Sequence, residues 1–253
     1  MSESDNNEPT IQELAQASQG AYAMSGKGNL EARHASAQET GPKDYTLQKH
    51  LTDIHMTTYK HNTKDHHIIA HRGTNLHGKD AKKDMTADWA LLTNQHTTDA
   101  TFKKRKNRTE KILKGIGSEG KVYMTGHSLG GSTVNYTMLN SKKTRDRVEN
   151  AHTFNVGASP LAGKVHNTKI KEELKDKLTH HKIGQDPISS SSTGLGGKVK
   201  VYKSTKSIPS IGLELLKHIK PMLEKSPIGR LAGMAGEGLL TSLQRHSIKN
   251  FID

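Results

Sequence analysis

The chain has no cysteine. Disulfides and thiolate metal sites are therefore excluded, and the redox compartment is left open. Aromatic residues are only 4% of the 253 residues and apolar residues 31%, so the core is expected to be small and made mostly of Ile, Leu, Val, Ala and Met. No apolar run approaches the roughly 18 residues that a bilayer-spanning helix needs. Residues 1–9 are acidic and polar with no apolar signal segment. They read as a disordered tail, and the chain as cytoplasmic or intracellular, peripheral on membranes or virus-associated. Acidic residues are the scarcer charge: 25 Asp and Glu stand against 38 Lys and Arg, a formal +13. Such a surface attracts anionic lipid head groups, nucleic acid or acidic proteins without choosing among them.

What is present is enough for one sizeable α/β domain, read over residues 10–253. Thr10 and Glu13 have capping-box spacing ahead of Ile11, Leu14, Ala15, Ala21 and Tyr22, which predicts a helix from Pro9-Thr10. Residues 26–42 are Gly-, Ala- and Ser-rich and read as a loop with at most one helical turn. Leu47, Leu51, Ile54 and Met56 fit neither helix nor strand firmly. Ile68-Ile69-Ala70 reads as a buried strand running into His71-Arg72-Gly73-Thr74. Helices are predicted over 80–93 and 102–116, the second with Ile112, Leu113 and Ile116 inward and a very basic solvent face. Strands over 122–125, 151–156 and 178–183 alternate with helices over 131–139 and 170–178, the order that makes a parallel sheet. Residues 198–203 alternate Lys with Val199, Val201 and Tyr202, as an edge strand does. Residues 208–243, cut by Pro209, Pro221 and Pro227, are the most apolar part. They read either as core packing or as a helical cap that covers an active site and meets lipid.

The chain is organised around Gly126-His127-Ser128-Leu129-Gly130. A strand before it and a helix after it put Ser128 at a sharp strand-to-helix turn, the setting of a nucleophile elbow. Glycines two before and two after the serine are brought close together by such a turn, and a side chain at either would clash. A serine hydroxyl is a poor nucleophile at neutral pH, so it needs an imidazole to take its proton and a carboxylate to orient that imidazole. Asp186, in the loop after a predicted strand, and His246, near the C-terminus, follow in the order Ser, Asp, His. Asp186 also reads as a turn former before Pro187, and His246 as a helix C-terminal histidine. His127 should point away from the hydroxyl of its neighbour, and His180-His181 precede Asp186, which breaks the order. The backbone N–H of Leu129 is one oxyanion donor; the junction at Thr74 is the second.

Several short stretches in fixed order now carry a resemblance: Ile69-Ala70-His71-Arg72-Gly73-Thr74, Asp84 with Asp88, Thr125 to Gly131, Thr153-Phe154-Asn155 with Gly157 to Pro160, Asp186-Pro187, and His246-Ser247. Together they resemble the class 3 lipase family, from about residue 10 to the C-terminus. That resemblance implies an α/β-hydrolase fold, with a central mostly parallel sheet flanked by helices and residues 208–243 as a helical cap-like insertion. It implies a serine carboxylester hydrolase of lipase or phospholipase A1 type, with Ser128 as nucleophile, Asp186 as orienter, His246 as base, and Thr74 and Leu129 as oxyanion hole. No cofactor or metal is implied. Arg72 is expected to pair with Asp84 or Asp88 and hold the oxyanion loop. Two departures stand out: His71 occupies a position where the family usually has an aromatic, which bears on the apolarity of the acyl pocket, and the stretch after Thr74 is polar.

The run Lys103-Lys104-Arg105-Lys106-Asn107-Arg108 has two readings, a solvated helix face or a patch that holds the chain on an anionic membrane surface. No motif or aromatic interleaving supports sequence-specific nucleic-acid reading. His67 and His71 would share one strand face, yet no further ligand for a metal is at hand. The rival to an enzyme is a non-catalytic, basic lipase-like structural or packing protein that binds acidic partners.

Overall fold

The computed structural model describes residues 7–73, 95–156, 168–184, 196–203 and 247–252. The helix expected over 80–93 and the apolar insertion at 208–243 lie outside the described residues. The first helix, α1 (Ile11–Ala23), is closed at its N-terminus by the predicted reciprocal box. Glu13 N donates to Thr10 Oγ1 at 3.1 Å and Thr10 N donates to the Glu13 carboxylate at 2.7 Å. Residues 26–42 depart from the loop expectation, because α2 (Leu30–Thr40) runs through them. Of its residues only His34 and Ala37 are buried, so no apolar stripe announces it. The Asn29 cap, which accepts from Ala32 N at 2.9 Å, and the intrinsic propensity of its alanines account for it.

The undecided stretch resolves into β1 (Tyr45–Leu47), a 3-10 turn over Lys49–Leu51 and β2 (Met56–His61). Each piece is too short for either period to declare itself. β3 (His66–His71) follows, then α3 (Gln95–Ile116), β4 (Lys121–His127), α4 (Leu129–Asn140), α5 (Lys142–Arg147), β5 (Asn150–Phe154), α6 (Thr168–Lys175), β6 (Leu178–Ile183) and β7 (Lys198–Tyr202). All these strands join one sheet in the order β1 to β7. β1, β2 and β3 pair antiparallel, and every pair from β3 to β7 is parallel. The result is the expected α/β architecture, a mostly parallel sheet with flanking helices. Strands β3 to β7 therefore end on one edge of the sheet, where loops can gather functional groups.

Both faces of the sheet are covered, and the strands alternate accordingly. Ile68, Ala70 and Tyr123 pack with Leu14, Ala17 and Ala21 of α1. Ile69, Val122 and Met124 turn the other way, toward Ile112 and Leu113 of α3 and Val134 and Met138 of α4. Each such aliphatic side chain contributes about 1.5–3 kcal/mol when fully buried. The core is mostly Leu, Ile, Val, Ala and Met, as the composition led one to expect, with Tyr45, Tyr59, Tyr123, Phe102 and Phe154 among its largest fully buried side chains. Scarce aromatics are concentrated inside, and a buried phenol finds a partner, as Tyr59 does on the carbonyl of Ala37 at 2.8 Å. Among the described residues, no helix is long and apolar enough to cross a membrane.

Candidate active site

Ser128 stands between β4 and α4 with φ 56° and ψ −123°, a backbone region that side-chain-bearing residues rarely occupy. The neighbouring glycines make the turn possible. A Cβ on Gly126 would sit 2.5 Å from the carbonyl carbon of Gly130, and one on Gly130 would collide with the carbonyl oxygen of His71. Ser128 N donates to Phe154 O at 3.0 Å, and Ser128 O accepts from Ser132 N at 3.0 Å, so the backbone on both sides of the hydroxyl is fixed. Although Ser128 is the N-cap residue of α4, its side chain makes no capping bond. Leu129 opens the helix at the positive end of its dipole, where backbone N–H groups lack intrahelical acceptors. Every residue from Leu129 to Leu139 is buried, which holds that end in place.

The chain leaving β3 passes directly beside this elbow. Arg72 N donates to His55 O at 2.8 Å, and Arg72 O accepts from Arg105 Nη1 at 2.8 Å. Gly73 is pressed between the Tyr22 hydroxyl and the carbonyl of His127, which a Cβ there would approach to 2.6 Å. His71, the residue that departs from the aromatic pattern, is fully buried and turned toward α3, its Nε2 3.3 Å from Thr109 Oγ1. Burial, helped by the charge of Arg105, pushes its imidazole down to about 3, so it is neutral at physiological pH.

His127 turns away from Ser128, as adjacency requires: its Nδ1 lies 2.8 Å from the hydroxyl of Tyr22 on α1. One strand pleat earlier, Ser18 and Thr125 hydroxyls meet at 2.9 Å, so α1 is fastened to β4 at two levels. Tyr22 entered the sequence reading only as an apolar position of the first helix; nothing in its spacing signalled the polar contact.

His180 and His181, set aside on chain order, are structural. His180 Nε2 lies 2.7 Å from Gly196 O and its Nδ1 2.7 Å from Thr153 Oγ1. A carbonyl only accepts, so Nε2 carries the proton and Nδ1 accepts from the threonine, a neutral ring with both nitrogens satisfied. Burial pushes it down to about 4. His181 Nε2 meets His152 Nδ1 at 2.9 Å and its Nδ1 meets the Tyr202 hydroxyl at 2.8 Å.

Of the expected site residues, Ser128 and Leu129 stand together at the elbow. Thr74, Asp186 and His246 lie outside the described residues, as do Asp84 and Asp88, the expected partners of Arg72. Their chain neighbours are described. Gly73 touches the elbow, and Gly184 leaves the carboxyl end of β6, where its N–H donates to Tyr202 O at 2.7 Å. Ser247 starts a 3-10 turn, Ile248–Phe251, in which Ile248 joins Leu14 and Phe154 in the core and Phe251 lies 4.8 Å from the Phe154 ring.

The basic run needs a correction. Lys103 and Lys104 are exposed, but Arg105 is only 6% exposed. Arg108 Nε is paired with Asp53 Oδ2 at 3.0 Å and Lys106 with Glu110 at 3.4 Å. Consecutive residues on a helix step by about 100°, so five cations within six successive residues cannot share one solvent face. Among the described residues, no group of three or more His, Asp or Glu side chains is arranged to hold a metal.

The sequence profile of the family described as lecithin:cholesterol acyltransferase matches residues 77–226, more than half of the chain. The matched span includes Ser128, Leu129 and Asp186 and stops short of Thr74 and His246. No curated protein matches the chain.

Proposed function

The chain belongs to the lecithin:cholesterol acyltransferase family, and from that premise we propose that it cleaves acyl esters of lipids through a serine acyl-enzyme. The finer reading is a lipase or phospholipase A1-like hydrolase, as the class 3 resemblance implies. The observation that carries it is Ser128: a serine in a strained backbone geometry at a strand-to-helix turn, its side chain making no bond to the helix it caps. Strain of this kind persists only where surrounding structure enforces it, and here it presents the hydroxyl at the carboxyl edge of the sheet.

In the proposed reaction Ser128 Oγ attacks the ester carbonyl as its proton passes to His246, which Asp186 holds in the productive tautomer. The negative charge that develops on the carbonyl oxygen is met by the N–H of Leu129 and by Thr74. Collapse expels the alcohol, which takes the proton from His246, and leaves the acyl group on Ser128. Water, activated by the same histidine, then releases the fatty acid. Lys103 and Lys104, exposed at the start of the basic run, would add about 1 kcal/mol each on an anionic lipid surface.

The family match favours a second outcome at the same intermediate, in which a lipid alcohol replaces water and the acyl group is transferred. The test compares wild type with Ser128→Ala. Wild type is expected to label with a fluorophosphonate probe and hydrolyse p-nitrophenyl butyrate, and the variant to do neither. A purified, folded wild type that fails both assays would sink the proposal. Adding a long-chain alcohol to the active protein separates hydrolysis from transfer by the ratio of free acid to new ester.

A further inference from the structure

Arg105 sits in the middle of the most basic run of the chain and yet is buried. Phe102, Arg105, Thr109, Ile112 and Leu113 recur at helical intervals and form the buried face of α3. A guanidinium removed from water is costly unless fixed hydrogen-bond acceptors replace its hydration. Nη1 donates to the carbonyl of Arg72 at 2.8 Å and to Thr133 Oγ1 at 3.4 Å. Thr133 in turn donates to the carbonyl of Leu129 at 3.0 Å. One side chain therefore ties the loop after β3 to the residue that follows the nucleophile. Both bonds leave one nitrogen whose two N–H directions are set by the guanidinium plane, whereas the ammonium of a lysine rotates on a flexible stem and holds neither acceptor at a fixed angle.

We infer that Arg105 is a positioning residue for the oxyanion hole, setting the distance between the 72–73 loop and the first turn of α4. The inference rests on the acyl-enzyme reading above. Its physical basis is the planarity of the peptide bond: in a trans peptide the C=O and N–H point in opposite directions, so holding the Arg72 carbonyl fixes the plane of the Arg72–Gly73 peptide and with it the direction in which the chain leaves β3 beside the elbow. The preceding peptide is anchored as well, by Arg72 N donating to His55 O at 2.8 Å. Oxyanion donors act only when they lie about 2.7–3.1 Å from the developing charge, so a small drift of the loop relative to Leu129 is felt at the transition state before it is felt in substrate binding.

The experiment uses the full chain as wild type, Arg105→Met, Arg105→Lys and Thr133→Val. Active sites are titrated with a fluorophosphonate so that kcat refers to folded protein only, and KM, melting temperature and inhibition by an alkyl trifluoromethyl ketone, which forms a tetrahedral adduct with an active serine, are measured alongside. In Arg105→Met, kcat per titrated site is expected to fall on the order of 100-fold with KM within about threefold. Affinity for the ketone should fall in step with kcat/KM. Arg105→Lys should be intermediate, and Thr133→Val, which breaks only the α4 arm, should lose less. A residue that merely packs would lower the melting temperature and leave kcat per titrated site intact, and that result overturns the inference. If the Met variant does not fold, wild-type kcat in both Arg105→Lys and Thr133→Val overturns it equally. A wild type that neither labels nor hydrolyses overturns the acyl-enzyme reading instead, and this role with it.

Discussion

At the scale of single residues, the elbow is a problem of backbone clearance. Ser128 and Asn155 are the non-glycine residues with positive φ among the described residues, and both stand at the carboxyl ends of neighbouring strands. Asn155 is held by its side chain, whose Oδ1 accepts from Ile183 N at 2.9 Å. Ser128 is held by its backbone bonds to Phe154 and Ser132, in a turn that only the bare α-carbons of Gly126 and Gly130 allow. Gly130 is the tightest point, because its α-carbon faces the carbonyl of His71 and the carbonyl carbon of Arg72. Gly130→Ala should therefore push the 71–73 loop away from α4. Overpacking of this kind costs about 1–3 kcal/mol of stability. Displacing the loop should lower kcat on the order of 100-fold even in the folded fraction. Thermal melting together with kcat per fluorophosphonate-titrated site checks both, and unchanged turnover would show that the contact does not govern the site.

Among the elements, α1 is the one whose role the sequence understated. Its start was legible, because Thr10 and Glu13 form a local signal that needs no tertiary partner. Its far end, where Tyr22 meets His127 and Gly73, was not. The two ends should behave differently on mutation. Thr10→Ala removes the cap and should cost about 1 kcal/mol of stability. Tyr22 is 12 residues further along the helix, about 18 Å away at 1.5 Å per residue, so kcat should stay at the wild-type level. Chemical denaturation and steady-state kinetics on the same preparation test this; a large fall in kcat would mean that the whole helix, and not its C-terminal end, governs the elbow. For α3 the amphipathic reading was right about Ile112 and Leu113 and wrong about the run before them. A row of cations in the sequence reads as surface, and only the helix's docking against β3 and α4 picks out Arg105 as the buried member.

Across the molecule, histidine is used as a core residue. His71, His180 and His181 are fully buried. Burial pushes their imidazoles down from the ordinary 6.5 to about 3, 4 and 3. The unfolded chain takes up protons as pH falls through about 6.5, whereas the folded chain keeps these rings neutral until near pH 4. Their contribution is thus complete above pH 6.5 and is lost as pH falls from there toward 4, on the order of 1 kcal/mol per histidine per pH unit. Urea unfolding at pH 7.5, 6 and 5 should show a steep loss of stability on the acid side. His180→Gln, whose amide can bond both Thr153 and Gly196, should flatten that slope by about one proton. Equal stability at pH 7.5 and 5 would rule out this account.

The sequence by itself determined what depends on neighbours along the chain. It specified the alternating strands and helices that build the parallel sheet, the Thr10–Glu13 cap, and the Gly-Ser-Gly turn around Ser128, because periodicity, capping and glycine clearance act over a few residues. It did not specify α2, which carries almost no apolar stripe, nor the fate of 47–56, where elements are too short to show a period. Nor did it show that Arg105 and Tyr22 converge on the two sides of the elbow. Those contacts join residues 33 and 105 positions apart, and no local pattern encodes a distance that only strand order and helix docking create. What tertiary structure alone decided is which polar side chains go inside, since a buried guanidinium, phenol or imidazole is tolerated only where the fold brings it a partner.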